Sequence, residues 1–373
     1  MSRNFNRFLS GLFCLFLGGM LVLTLVLPDA DFSPLENRYL QQPPKLTLST
    51  LQNGKFMADA EDYAADHVPG RDFWVALKAW CERLSGKREN NGVYFAAYNT
   101  LINHLATPNM EELSEKLGYV NALTDNVAVP VYFGIIPTAA EVWRDRLPAG
   151  APTADEQAVI EQLNAGVTVD GIVDVFAQLS DHAQEEVYYH TDHHWTSLGA
   201  YYGYCAVMQA MGLDPIPLSD YQPTELSNSF YGTIFSSSGV RWVAPDTIRA
   251  YVPEENITVT NYFDGTPTQG ELYVDKYLSE KDKYSCFLGG NQPLCVLSGG
   301  NADGEKVLVI RDSYADAMAP FLAESFSEVH LYDLRYNRMS VKDYVEEHGI
   351  DRVVVLYNLS NFATDGNLFL LAR

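Results

Sequence analysis

The chain has 373 residues, 47% of them hydrophobic, with 5 Trp, 23 Tyr and 18 Phe, so it has ample material for a large core and is not a disordered protein. Its formal net charge of -23 excludes a nucleic-acid surface, because displacing counterions from phosphates requires a basic face. The same charge argues against docking of the folded part on anionic lipid.

In chain order, Arg3 and Arg7 precede an uncharged apolar run from Phe8 to Leu27. As a helix this run is about 30 Å long, the thickness of a bilayer core. Asp29 and Asp31 follow at once, which leaves the positive flank in the cytoplasm. A cleaved signal peptide is the competing reading. The apolar run is long for one, and Leu27-Pro28-Asp29-Ala30-Asp31 offers no small-x-small cleavage site, so residues 1–29 are read as a single-pass signal anchor. Both readings place residues 30–373 outside the cytoplasm, at the membrane if the segment stays and secreted if it is cleaved.

Residues 29–50 are proline-rich and aperiodic, as a linker is. Two amphipathic helical patterns follow over 49–87, separated by Pro69-Gly70, so residues 30–89 read as a linker and helical neck. The Asn90-Asn91-Gly92 turn opens the main domain, 90–373. It begins with a short strand at 93–95 and then alternates: helix 111–123, strand 127–136, helix 154–165, strand 172–176 and helix 197–211. The last third is the most regular, with strand 306–310, helix 314–326 (Pro320 kinking it), strand 329–332, helix 341–347 and strand 353–357. This β-α-β-α-β order predicts an α/β fold, with a mostly parallel sheet covered by helices on both faces. Residues 213–300 carry turns and short strand-like pieces and read as an insertion at the functional edge. Of the cysteines, Cys286 and Cys295 flank the Gly289-Gly290-Asn291 turn; spacing alone leaves open whether they are bridged.

Two segments carry chemistry: Thr191-Asp192-His193-His194-Trp195 and Val309-Ile310-Arg311-Asp312-Ser313-Tyr314. They supply a carboxylate, an imidazole and a hydroxyl. A serine hydroxyl needs an imidazole to take its proton, and the imidazole needs an acid to fix its tautomer. Ser313 falls where a buried strand gives way to a helix, the edge at which doubly wound sheets bind ligands. Ser313-Tyr314-Ala315-Asp316 also reads as a plain capping box. In extended backbone Asp192 and His194 share a face, so His193 is expected to point away and to be dispensable. The helix start at Thr196-Ser197 favours a neutral His194. His190, Asp192, His193 and His194 could on paper ligate zinc, but adjacent histidines do not easily share one ion, and neither metal nor cofactor is assigned.

Four further residues are weighed as oxyanion or substrate contacts. Arg311 reads first as a structural ion pair, Asn291 as a turn residue whose amide could face an oxyanion, and Trp195 and Tyr231 as packing or as sugar platforms.

The Thr191–Trp195 string resembles the signature that names the DHHW family. The resemblance extends from Glu36-Asn37-Arg38-Tyr39 through Glu89-Asn90-Asn91-Gly92-Val93-Tyr94-Phe95 to the Ser313 segment. DHHW proteins are similar to SGNH-like alginate O-acetyltransferases, which implies a three-layer αβα domain of SGNH-hydrolase type, with Asp192 as acid, His194 as base and Ser313 as nucleophile. Arg311 departs from that pattern, standing where a Gly-Asp-Ser block has glycine. The implied activity is serine-dependent O-acylation, in particular O-acetylation, of a cell-surface or secreted polysaccharide, beside a membrane-bound O-acyltransferase partner. A carbohydrate esterase using the same triad and a non-catalytic polysaccharide-binding scaffold are the alternatives.

Overall fold

The computed structural model describes residues 3–252 and 257–373. Residues 1–2 of the N-terminal segment and 253–256 of the expected insertion lie outside the described residues. The chain divides into two compact units. One takes the chain to Asn91 and adds Ser236–Arg241; the other is Gly92–Phe235 with Trp242–Arg373.

In the first unit the helix Arg3–Val26 is long and apolar enough to cross a membrane. Helices Leu48–Gln52, Lys55–Asp66 and Arg71–Leu84 follow. Thr47 caps the first of these in a reciprocal capping box with Thr50. Gly70, at φ +69°, makes the left-handed turn that separates the other two. Asp66 binds the Arg38 guanidinium and accepts from the Gln41 N–H at 2.8 Å. Those contacts, the Arg38 bond first, hold its carboxyl below the usual range. Asn90 Nδ2 donates to the Ser238 carbonyl at 2.6 Å, tying Ser236–Arg241 to this unit.

The second unit is built on an eight-stranded sheet. Its strands are β1 (Val131–Ile136), β2 (Gly171–Ile172), β3 (Thr258–Tyr262), β4 (Pro267–Gly270), β5 (Leu294–Ser298), β6 (Lys306–Arg311), β7 (Glu328–Tyr332) and β8 (Arg352–Asn358). Their spatial order is β4-β3-β5-β7-β6-β8-β1-β2. From β7 to β2 the neighbours are parallel, and β5, β3 and β4 add an antiparallel edge. Besides the short helices Ala139–Val142 and Thr233–Ser238, the described helices are α1 (Met110–Asn126), α2 (Glu156–Gly166), α3 (Val175–Asp181), α4 (Ser197–Ala210), α5 (Ala315–Ser325), α6 (Val341–His348) and α7 (Leu359–Thr364).

Side-chain alternation along β6 shows why helices cover both faces. Val307 and Val309 enter one core with residues of α3, α4 and α5, while Leu308 and Ile310 enter a second with residues of α1, α2, α6 and α7. A strand buried on both sides has no polar face to spare, hence the continuous apolar run of 307–310.

Two expectations change, and one question left open by the sequence is answered. The run 172–176 is not one strand: β2 stops at Ile172, and Asp174 caps α3 by accepting from the Ala177 N–H. Residues 213–300 are not wholly an insertion, because β3, β4 and β5 extend the central sheet. The hairpin Gln222–Phe230 and Asp246–Val252 stands apart as a two-stranded sheet. Cys286 and Cys295 are both buried free thiols.

Candidate active site

Strand β6 ends at Arg311, and Asp312-Ser313-Tyr314 turns the chain into α5 at the carboxyl edge of the parallel strands. The corner is held by Asp312. Its Oδ1 accepts from the Tyr314 N–H at 3.0 Å, and its Oδ2 from the Asn358 N–H at 2.8 Å and Asn361 Nδ2 at 2.7 Å. Burial raises the Asp312 pKa, and these donors oppose the rise. No side chain caps α5, so the capping-box reading of Ser313 fails and its hydroxyl is left for another partner.

That partner is His194. Its Nε2 lies 2.8 Å from Ser313 Oγ, and its Nδ1 lies 2.6 Å from Asp192 Oδ1. These contacts assign a proton on Nδ1 and a lone pair on Nε2 facing the serine O–H. Asp192 Oδ1 also accepts from the His194 N–H at 3.0 Å, and Oδ2 accepts from the Thr233 N–H at 2.7 Å and hydroxyl at 3.0 Å. Burial works against ionising Asp192. The charges that His193 and His194 carry when protonated in acid, together with these hydrogen bonds, outweigh it, so the carboxyl stays well below the usual range. Gly232 lets Thr233 come this close, since a Cβ on it would lie 2.2 Å from Asp192 Cβ.

The Asp192–His194 pair does not come from extended backbone. Residues 190–194 form a bend between the bridged residues Tyr188 and Trp195. Asp246 anchors it by accepting from the His190 and Thr191 N–H groups, each at 2.8 Å. The bend removes the strict alternation of a strand, so His193 does not point away. Its ring centroid lies 3.9 Å from that of His194.

A cluster of aromatics locks the bend to the serine corner. Trp195 Nε1 donates to the Tyr314 carbonyl at 2.8 Å, and the Tyr314 hydroxyl donates to the His193 carbonyl. Tyr284 stacks on the His194 ring, with centroids 3.7 Å apart and planes within 7°, and its hydroxyl donates to the Ser313 carbonyl at 3.0 Å. The sequence alone does not reveal Tyr284: it sits in a single 3-10 turn, Lys283–Cys286, with no motif around it.

The four additional candidates are placed differently from the triad. Arg311 is fully buried, 3.0 Å from Asp316 and 3.9 Å from Asp333, so it is a structural cation and does not reach a substrate. Burial pushes Asp316 up to about 7 against the pull of Arg311. Trp195 is also fully buried and cannot serve as a sugar platform; a Cβ on Gly203 of α4 would strike its indole at 2.5 Å. Tyr231 packs on Phe235 at 4.3 Å between ring centroids and donates to the Val243 carbonyl at 3.4 Å. Asn291 is exposed, and its Oδ1 accepts from Arg335 at 3.1 Å.

The ligating atoms of Asp192, His193 and His194 lie within 4.8 Å of one another. Both His194 nitrogens and both Asp192 oxygens are already committed to the serine, the threonine and each other. An ion would have to dismantle the triad to bind, and these residues do not fit a metal centre.

Fold and site together define an α/β protein presenting a Ser–His–Asp triad at the edge of its sheet. The DHHW protein profile matches residues 111–332, more than half of the sequence, and the chain belongs to the DHHW family. Among solved structures, a DHHW family protein from Eubacterium siraeum is 26% identical with a TM-score of 0.69, covering 76% of this chain and 95% of that one. Bacillus cereus PatB1 bearing a sulfonyl adduct is 24% identical with a TM-score of 0.63, covering 75% and 98%. The O-acetyltransferase domain of Pseudomonas putida AlgJ is 15% identical with a TM-score of 0.45, covering 74% and 93%. Comparison with curated protein sequences gave no match.

Proposed function

We propose that this chain is a serine-dependent O-acetyltransferase of SGNH type, anchored by Arg3–Val26 and acting outside the cytoplasm on a cell-surface or secreted polysaccharide. The observation that supports it most is the unbroken chain from Asp192 through His194 to Ser313 Oγ. Ser313 Oγ attacks the acyl carbonyl of the donor as its proton passes to His194 Nε2, and Asp192 steadies the imidazolium so formed. The oxyanion faces the Ser313 N–H at the head of α5. His194 then protonates the departing donor group, leaving acetyl-Ser313. A sugar hydroxyl gives its proton to His194 and takes the acetyl group, and Ser313 recovers its proton.

The DHHW resemblance points to a membrane-bound O-acyltransferase as the partner supplying the acyl group. The Arg311 departure from a Gly-Asp-Ser block does not favour a non-catalytic scaffold, because the guanidinium turns into the core behind the corner. The test is the whole chain in detergent, incubated with p-nitrophenyl acetate and a β-1,4-linked oligosaccharide. Acetylated oligosaccharide supports transfer. Acetate alone, with the acceptor unchanged across a panel of sugars, would make the protein an esterase.

A further inference from the structure

His193 is not part of the triad, yet its ring lies against that of the base, 3.9 Å away and tilted by 37°. Its Nδ1 is 2.6 Å from the Thr233 hydroxyl oxygen. That hydroxyl has one proton, and Asp192 Oδ2, 3.0 Å away, is the stronger claimant because an ionised carboxylate only accepts. Thr233 therefore accepts from His193, and Nδ1 carries the proton. Burial and the neighbouring His194 hold the His193 pKa below its ordinary value, so the ring is neutral and Nε2 is a lone pair. Among the described residues Nε2 has no hydrogen-bond partner, and the His193 side chain is 36% exposed. One carboxylate thus orders two imidazoles: His194 directly through Oδ1, and His193 through Thr233 on Oδ2.

We propose that His193 Nε2 accepts a hydrogen bond from a second hydroxyl of the acyl acceptor, so that the site selects a vicinal diol, as on a pyranose ring, over a lone alcohol. The proposal rests on the acetyl-Ser313 reading. In the transfer step the first hydroxyl gives its proton to His194 Nε2 as its oxygen bonds the acyl carbon. The carbon–Oγ bond breaks, and Ser313 Oγ takes the proton back from His194. The second hydroxyl keeps its proton, directed at His193, whose own protonation does not change. A site built to pair a hydroxyl discriminates against an acceptor that lacks it, because such an acceptor covers the partly exposed lone pair and displaces its water without replacing the hydrogen bond.

The test uses the full chain in detergent, acetylated with p-nitrophenyl acetate. Loss of the acetyl adduct is followed by intact mass with 1,2-propanediol or 1-propanol at equal concentration. The wild type is expected to be deacetylated faster by the diol, and His193→Ala to lose about tenfold of that preference, the worth of one good hydrogen bond. His193→Gln, which can place an oxygen near the Nε2 position, should retain more of the preference than His193→Asn, and this pair of polar variants serves if the alanine variant does not fold. An unchanged ratio in every variant, or a wild type without preference, would overturn the proposal, as would equal losses toward both alcohols, which mark a packing role. A wild type that never acquires the adduct would instead overturn the serine acyl-enzyme reading beneath it.

Discussion

Tyr284 offers a sharp test of how the base is held. Its ring lies parallel to the His194 imidazole at 3.7 Å, and its hydroxyl donates to the Ser313 carbonyl at 3.0 Å, so one residue touches both the proposed base and the backbone of the proposed nucleophile. When Ser313 gives up its proton, His194 becomes a cation over the face of a buried aromatic ring, an interaction worth about 2 kcal/mol when desolvated. Tyr284→Ala should therefore slow acylation by about 30-fold beyond any loss of folded protein. It should also lower stability by about 3–5 kcal/mol through the cavity left by a side chain that is only 6% exposed. Tyr284→Phe keeps the stack and loses one hydrogen bond, about 1 kcal/mol, or roughly fivefold in rate if all of it is felt at the nucleophile. The assay is the burst of p-nitrophenol from p-nitrophenyl acetate, with urea unfolding run in parallel to give the folded fraction. Equal losses in the Phe and Ala variants would refute the argument, since the stack would then contribute nothing. So would an Ala variant that acylates at the wild-type rate.

Other expectations follow from the same geometry. Arg311→Met leaves Asp316 buried without its cation, while Asp333 keeps Arg335 at 2.6 Å, and should cost about 3–5 kcal/mol in urea unfolding, while the burst rate per folded molecule changes by less than about threefold. Gly232→Ala places a methyl group inside the Asp192 carboxylate and should lower the burst rate by about 100-fold or more, as misplacing a catalytic group does; wild-type kinetics would show that the loop shifts freely. The Asp192 carboxyl is depressed in the folded protein, so its contribution to stability is complete above its unfolded value of about 4 and is lost as pH falls below that. Acid unfolding of Asp192→Asn, followed by circular dichroism, should accordingly depend less on pH below about 4 than the wild type does.

The regular α/β part of the chain was legible because its signals are local. The strands at 306–311, 328–332 and 352–358 are apolar runs bounded by charge or turns, and the helix at 341–348 is capped by Ser340 and closed by Gly349. The run 172–176 misled because a short apolar stretch does not say whether it is strand or helix, and the Asp174 cap decides it. The edge strands β3 and β4 carry Thr, Asn, Gln and Gly, and only pairing with β5 makes them part of the sheet. At the site, residue types and spacing pointed to Asp192, His194 and Ser313. His193 lies beside His194 and not opposite it, because a bend stands where the spacing predicts extended backbone. The roles of Tyr284 and Thr233 had no sequence signal, since each depends on contacts with residues far away in the chain.

The measurement that bears most directly on the central claim is intact-mass analysis of the full chain after incubation with p-nitrophenyl acetate, beside Ser313→Ala. The account predicts a single added acetyl group on the wild type and none on the variant. An adduct that survives the substitution would place the nucleophile elsewhere. No adduct at any pH from about 6 to 9, the interval that brackets histidine deprotonation, would contradict an acyl-enzyme altogether.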